Sequence, residues 1–325
     1  MIDDSGFPKD GPASACVARQ YSGTLGKAGN CQIGVSVHLV TDIASVAGNW
    51  RLFCPASWDD NTIGDPDAAA AVRAKRDRAG IGPEVRHREK WRLALDMLDE
   101  MIEQWGLPKL PVAADSGYGD ATLFRLGLAE RGLRYVVQVD PTATAHPGDA
   151  VPVIPAYRGR GRPPRPAYPN PPVTFKQLVL AAGRHSARPV TWRRGSRRTK
   201  TNPSAAMRSH FLRLRIRPAN RDIGRGDDGT LPQVWLIAEW PPDKDEPVKY
   251  WRSDLDTRTS LKTLVRLAKI RWRVEHDYRE LKTGLGIDHF EGRSLPGWHR
   301  HVTLTVLAQA FCVQLRLDPK ADAPA

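Results

Sequence analysis

Glu275 is the residue in this sequence whose neighbours most suggest chemistry. The run Ser260–Leu285 has helical periodicity, and at about 100° per residue it sorts into three faces. Leu267, Ile270, Val274 and Leu281 form an apolar stripe. Lys262, Arg266, Lys269, Arg273 and Glu280 fall opposite it. Between them Leu264, Ala268, Arg271, Glu275, Tyr278 and Lys282 make a stripe that begins apolar and turns charged. A carboxylate at the rim of a buried face, with Arg271 one turn before and Lys282 two turns after, can act as a working group. The alternative is an amphipathic helix with i,i+4 ion pairs, each adding about 0.2–0.5 kcal/mol.

Two other carboxylate positions invite the same question. Leu110–Ala114 is a short apolar run that ends in Asp115-Ser116-Gly117-Tyr118-Gly119. An acid at a strand's C-terminal end, before a glycine turn and a helix, suits an active site and equally a helix cap. Asp3 and Asp4 stand beside a turn signal, Ser5-Gly6, and could be no more than a polar chain end.

The elements that position these acids are partly legible. Cys31–Val40 and Ser45–Phe53 read as antiparallel strands, Arg88–Trp105 as a helix, and Ala121–Glu130 as another. Tyr135–Val139 reads as an interior strand. Beyond a proline-rich break at Pro141–Pro172, Ser209–Arg217 and Val234–Ala238 read as strands joined by a loop at Asp222–Gly229. Val302–Leu315 is apolar enough to be expected as a buried brace. His299 and His301 are alternate residues and do not share one ligand face of a helix.

The 325 residues carry a net charge of +13. Seventeen Lys and Arg, with no Asp or Glu, lie between Arg158 and Arg221, so the rest of the chain sums to 13 − 17 = −4. Arg193, Arg194, Arg197, Arg198 and Lys200 cluster there beside Trp192 and Phe211. Such a segment suits a polyphosphate backbone, the other reading being a basic loop without specific contacts. Four scattered cysteines give no zinc ribbon or disulfide framework, and there is no Walker-type loop. No run reaches the length of a membrane span, and a cytoplasmic, nucleoid-associated protein with reduced thiols is expected.

The spacing Arg271, three residues, Glu275, six residues, Lys282 resembles the Tyr-x2-Arg-x3-Glu-x6-Lys signature of DDE-type insertion-sequence transposases. Trp272 and Val274 also match, whereas the family tyrosine falls on Ala268. Asp3-Asp4-Ser5-Gly6-Phe7-Pro8-Lys9 and the run Gln20–Gln32 are similar to that group's first strands, and Ala114-Asp115-Ser116-Gly117-Tyr118-Gly119 to its second aspartate motif. The resemblance extends from Asp3 to about Val306.

It implies an α/β, ribonuclease H-like mixed sheet flanked by helices, with a β-rich basic insertion before the last catalytic helix. The implied divisions are 1–140 and 251–325 for the catalytic core and 141–250 for the insertion. It implies Asp4, Asp115 and Glu275 as catalytic ligands of two Mg²⁺ (or Mn²⁺) ions, although Asp3 competes with Asp4 for the first place. Arg271, Trp272, Tyr278 and Lys282 would hold DNA, with Arg193, Arg194, Arg197 and Arg198 adding affinity. The implied activity is cleavage of transposon ends in double-stranded DNA and strand transfer into a target, in a chain compatible with a homodimer on DNA. A non-catalytic DNA-binding remnant and a nuclease that cuts without joining are the alternatives. Only Met1, Ile2 and Asp3 precede Asp4, so the first strand is expected to be nearly missing and activity impaired.

Overall fold

In a computed structural model, which describes residues 1–157, 159, 161–195, 198–200 and 202–318, the chain forms two compact units. Met1–Pro108 and Arg271–Ala325 make the first, Lys109–Ile270 the second.

The first unit is built on β3 (Lys27–Val40), whose residues 31–38 are buried on both faces. Such a strand needs partners on both edges. β1 (Ile2–Pro8) pairs with it antiparallel from Ile2↔Val37 to Pro8↔Cys31. β2 (Ala18–Ser22) and β4 (Ser45–Leu52) also pair with it antiparallel. The first strand is therefore seven residues long, contrary to the expectation of a nearly missing one, and Asp4 lies opposite Val35 in its ladder. The hydrophobic core of this unit gathers Phe7, Trp50, Trp58 and Trp298. Phe7 meets Trp298 edge to face at 6.1 Å, the geometry that aromatic quadrupoles favour.

Around this sheet stand α1 (Pro66–Arg78) and α2 (Lys90–Asp99). In the second unit, β5 (Val112–Ala114), α3 (Ser116–Gly119), α4 (Thr122–Glu130) and β6 (Tyr135–Val139) form a strand–helix–strand passage with β5 and β6 parallel. The strands β7 (Thr144–Pro147), β8 (Val173–Thr174), β9 (Arg188–Arg194), β10 (Ala206–Pro218), β11 (Val234–Glu239) and β12 (Lys249–Ser253) continue the same sheet antiparallel. Its order is β5-β6-β12-β11-β10-β7-β8, with β9 on β10. The mixed sheet and its flanking helices agree with a ribonuclease H-like fold. α5 (Phe175–Ala182) starts on a capping box formed by Thr174 and Gln177. The proline-rich stretch is tethered: Tyr168 stacks on His146 at 4.0 Å and its hydroxyl accepts from the Leu231 N–H.

One long helix is expected over Ser260–Leu285, and the structure corrects this. α6 (Leu261–Lys269) and α7 (Trp272–Arg279) are separate, and a π-helical turn follows at Glu280–Gly284. The last helix, α8 (Leu295–Leu317), is capped by the Ser294 hydroxyl, which accepts from the Gly297 N–H. It is not simply a buried brace. Trp298, Val302 and Val306 face the core, while Leu304, Leu307 and Phe311 are 68, 60 and 61% exposed. Cys16, Cys31 and Cys54 are buried free thiols, and Cys312 on α8 is half-buried. Among the described residues no helix is long and apolar enough to cross a membrane.

Candidate active site

Strand geometry separates the two N-terminal acids, because consecutive side chains leave a strand on opposite faces. The buried Asp3 carboxylate accepts from Arg271 Nη2 at 3.2 Å and Nε at 3.3 Å. Asp4 instead pairs with Lys90, the first residue of α2, at 2.8 Å. Its backbone N–H donates to Asp3 Oδ1 at 2.9 Å.

The signature lysine engages the same strand. Lys282 Nζ donates to the Gly6 carbonyl at 3.0 Å and to Thr24 Oγ1 at 2.9 Å. Burial lowers its pKa, against the pull of Asp288. Arg271 and Lys282 therefore fasten α7 and its π turn to β1 on either side of Asp4. Glu275 lies between them in sequence and is exposed; its backbone N–H donates to the Arg271 carbonyl at 3.5 Å, while its carboxylate has no hydrogen-bond or ion-pair partner among the described residues. Trp272 is half-buried, and the Arg273 guanidinium lies 4.4 Å over its ring.

Tyr278, expected at the DNA, is turned inward. Its hydroxyl lies 2.7 Å from Ser36 Oγ, and its ring meets His38 edge-on at 5.3 Å. Burial, then the charge of Asp3, pushes this phenol well above its ordinary pKa, so it remains a hydrogen-bond donor.

Ser36 begins a buried polar chain that sequence reasoning missed. Ser36 Oγ and His38 Nε2 are 2.9 Å apart, His38 Nδ1 and Asp277 Oδ2 are 2.9 Å apart, and the Ser45 hydroxyl donates to Asp277 Oδ1 at 2.6 Å. The order serine–histidine–aspartate is that of a hydrolase triad, but Ser36 is 0% exposed and no substrate reaches it. The chain instead secures α7 to β3 and β4. The available signal was register: Ser36 and His38 are polar residues on one face of an interior strand, which must find partners.

Asp115 belongs to the second unit. It follows β5 with extended backbone, and its carbonyl accepts from the Gly119 N–H at 2.7 Å. Its side chain makes no capping hydrogen bond to α3, so the capping alternative is not used. Gly119 is a close-approach position: a Cβ there would lie 1.9 Å from the Gln138 carbonyl oxygen on β6. Only glycine lets α3 lie this near the strand. Within each unit, among the described residues, no three His, Cys, Asp or Glu side chains gather as a metal-binding group.

On β9, Arg193 is half-buried and Arg194 exposed; Arg198 and Lys200 are exposed in the loop toward β10. Arg197 lies outside the described residues. The aromatics of this segment face inward rather than toward a polyanion. Phe211 is fully buried, and Trp192 packs on it at 5.6 Å. Lys269, the last residue of α6, sits 4.8 Å from the Trp192 ring and 5.5 Å from Trp251, and is paired with Glu239.

His301 and His299 serve the fold. His301 Nε2 donates to the Gly286 carbonyl at 3.0 Å, and burial lowers the pKa of His299, helped by nearby Arg51.

Residues 1–199 match a family model described as DDE superfamily endonuclease, a range that includes Asp4 and Asp115 and ends before Glu275. Comparison with curated proteins finds no match.

Proposed function

Because the chain belongs to the DDE superfamily endonucleases, we propose that it cleaves transposon ends in double-stranded DNA with divalent metal ions and transfers the freed strand into target DNA as a homodimer. The observation that carries this reading is the pair of anchors on β1. Arg271 at Asp3 and Lys282 at Gly6 hold the intervening helix against the strand of Asp4 and leave Glu275 exposed.

Asp4, Asp115 and Glu275 are the proposed ligands. They offer oxygen donors only, which suits hard Mg²⁺ or Mn²⁺, and Asp4 already binds a cation in the form of the Lys90 ammonium. When bound, a pair of such ions activates the attacking hydroxyl and relieves charge on the leaving oxygen. The protein's part is to position and neutralise. Arg271 offsets the Asp3 charge, so that two adjacent acids do not repel across one strand. In the basic segment of residues 141–250, β9 and the loop toward β10, with Arg193 half-buried and Arg194 and Arg198 exposed, supply phosphate contacts.

The test combines Mn²⁺ binding by calorimetry with cleavage and joining of end-bearing duplexes. Glu275→Gln and Asp115→Asn should each weaken Mn²⁺ binding and remove cleavage while DNA affinity stays within about twofold. Cleavage without joining would reduce the proposal to a nuclease. DNA binding with neither Mn²⁺ binding nor cleavage would leave a non-catalytic remnant.

A further inference from the structure

Helix α8 presents two apolar faces, and the first unit covers one of them. Trp298, Val302, Val306 and Gln309 are inward, the last through its side-chain oxygen, which accepts from the Ala47 N–H at 3.2 Å. Leu304, Leu307, Phe311 and Leu315 follow each other by three, four and four residues along the outer face, and each is 45% exposed or more. From Val302 to Leu315 there is no Asp, Glu, Lys or Arg. A solvent-facing helix surface ordinarily carries such charges. Charge appears on this stripe only at its ends, with Arg300 in the first turns and Asp318 at the C-cap, both exposed.

We propose that this face is where two copies of the chain meet, α8 against α8, antiparallel about a two-fold axis. A two-fold contact requires a self-complementary surface. The stripe is one when the helices run oppositely, because Leu307 then faces the partner's Phe311 and Leu304 faces the partner's Gln314 and Leu315. In the same register Arg300 faces the partner's Asp318 at each end. A parallel pairing places like charges together and forfeits this match. The three-and-four spacing is that of helices packed nearly side by side. The exposed Leu and Phe side chains of two copies bury on the order of 1,000 Å² in all, about the lower bound for a specific interface. The pairing gives the proposed homodimer its surface, and rests on that part of the reading above.

The test is the mass of the full chain in solution by sedimentation equilibrium, without DNA and on an end-bearing duplex. Wild type should show a concentration-dependent dimer. Phe311→Asp and Leu307→Asp should each shift dissociation at least tenfold toward monomer, with the far-ultraviolet spectrum and melting temperature of the monomer kept. Arg300→Asp and Asp318→Arg should each weaken the dimer, and the two together should restore it. A free dimer indifferent to all four changes overturns the α8 assignment while leaving a homodimer in place. A monomer both free and on DNA overturns both. A dimer weakened by the apolar changes but not rescued by the double charge exchange overturns the antiparallel register.

Discussion

His38 on β3 and Asp277 on α7 are joined by a 2.9 Å hydrogen bond, although 239 residues separate them and both side chains are buried. The direction of the chain through them follows from what each group can do. A carboxylate only accepts, so His38 Nδ1–H donates to Asp277. His38 Nε2 then accepts the Ser36 hydroxyl, and Ser36 Oγ accepts the Tyr278 hydroxyl. The Asp3 carbonyl, 3.4 Å from Ser36 Oγ, is a second and longer acceptor for that hydroxyl, and the bonds from His38 to Asp277 and from Tyr278 to Ser36 tie α7 to the sheet at two points.

This arrangement makes stability depend on pH. Burial lowers the His38 pKa, and the Asp277 carboxylate only partly offsets it. The unfolded chain binds this proton near pH 6.5, the folded one only below that. Its contribution is therefore complete above about pH 6.5 and is lost as pH falls below it. His146 and His299 are lowered by burial as well and add in the same direction. Melting temperature should fall between pH 7 and pH 5. In His38→Gln the fall should be shallower, from a starting stability lower by about 1–3 kcal/mol. An unchanged slope in that variant removes His38 from the account.

The Lys269–Glu239 pair offers a test by double replacement. Both side chains are largely buried, at 17 and 9% exposed, and burial lowers the Lys269 pKa against the pull of Glu239. Lys269→Met alone leaves the acid without its cation and should cost about 3 kcal/mol in urea unfolding. Lys269→Met with Glu239→Leu should recover most of that loss. If the double variant is as unstable as the single, the ion pair is not the source.

Gly119 tests how tightly the Asp115 segment is held. The alanine methyl would meet a backbone carbonyl, which cannot swing aside as a flexible side chain would. Gly119→Ala should lose about 1–3 kcal/mol and, by displacing α3 from β6, remove cleavage while DNA affinity persists. Wild-type stability and cleavage in this variant would mean that the turn tolerates a different path.

The basic hairpin should behave as a sequence-independent phosphate holder. Arg193, Arg194 and Arg198 changed together to Gln should weaken binding to all duplexes alike. The slope of log K against log salt should become shallower by about 0.9 for each phosphate that is no longer neutralised. A loss confined to one sequence would point to base reading instead.

Much of the scaffold was legible because single strands declare themselves. Tyr135–Val139 has the bounds read from its apolar run, and β10 and β11 flank the loop expected at Asp222–Gly229. The break between α6 and α7 was not legible. Ile270 and Arg271 keep helical φ with ψ of −14° and −27°, so periodicity runs on through a point where the helix stops. Nor did spacing reveal which way Tyr278 faces, since the partner that draws it inward is Ser36, 242 residues away. The outward leucines of α8 escaped for the opposite reason: apolarity says that a face prefers cover, not which body supplies it.

The cysteines have a practical consequence of their own. The Cys16 thiol is pushed well up in pKa by its hydrogen bond with Cys54 and by burial, and burial raises Cys31 too. Cys54 is drawn down by Cys16, yet it is only 2% exposed. Alkylation needs both a thiolate and a path to it, and these three positions lack one or the other. Cys312, next to Phe311, is the most accessible of the four. A maleimide dye or nitroxide added to the native protein under brief exposure therefore reads out the last helix, with no engineered cysteine and no thiol removed.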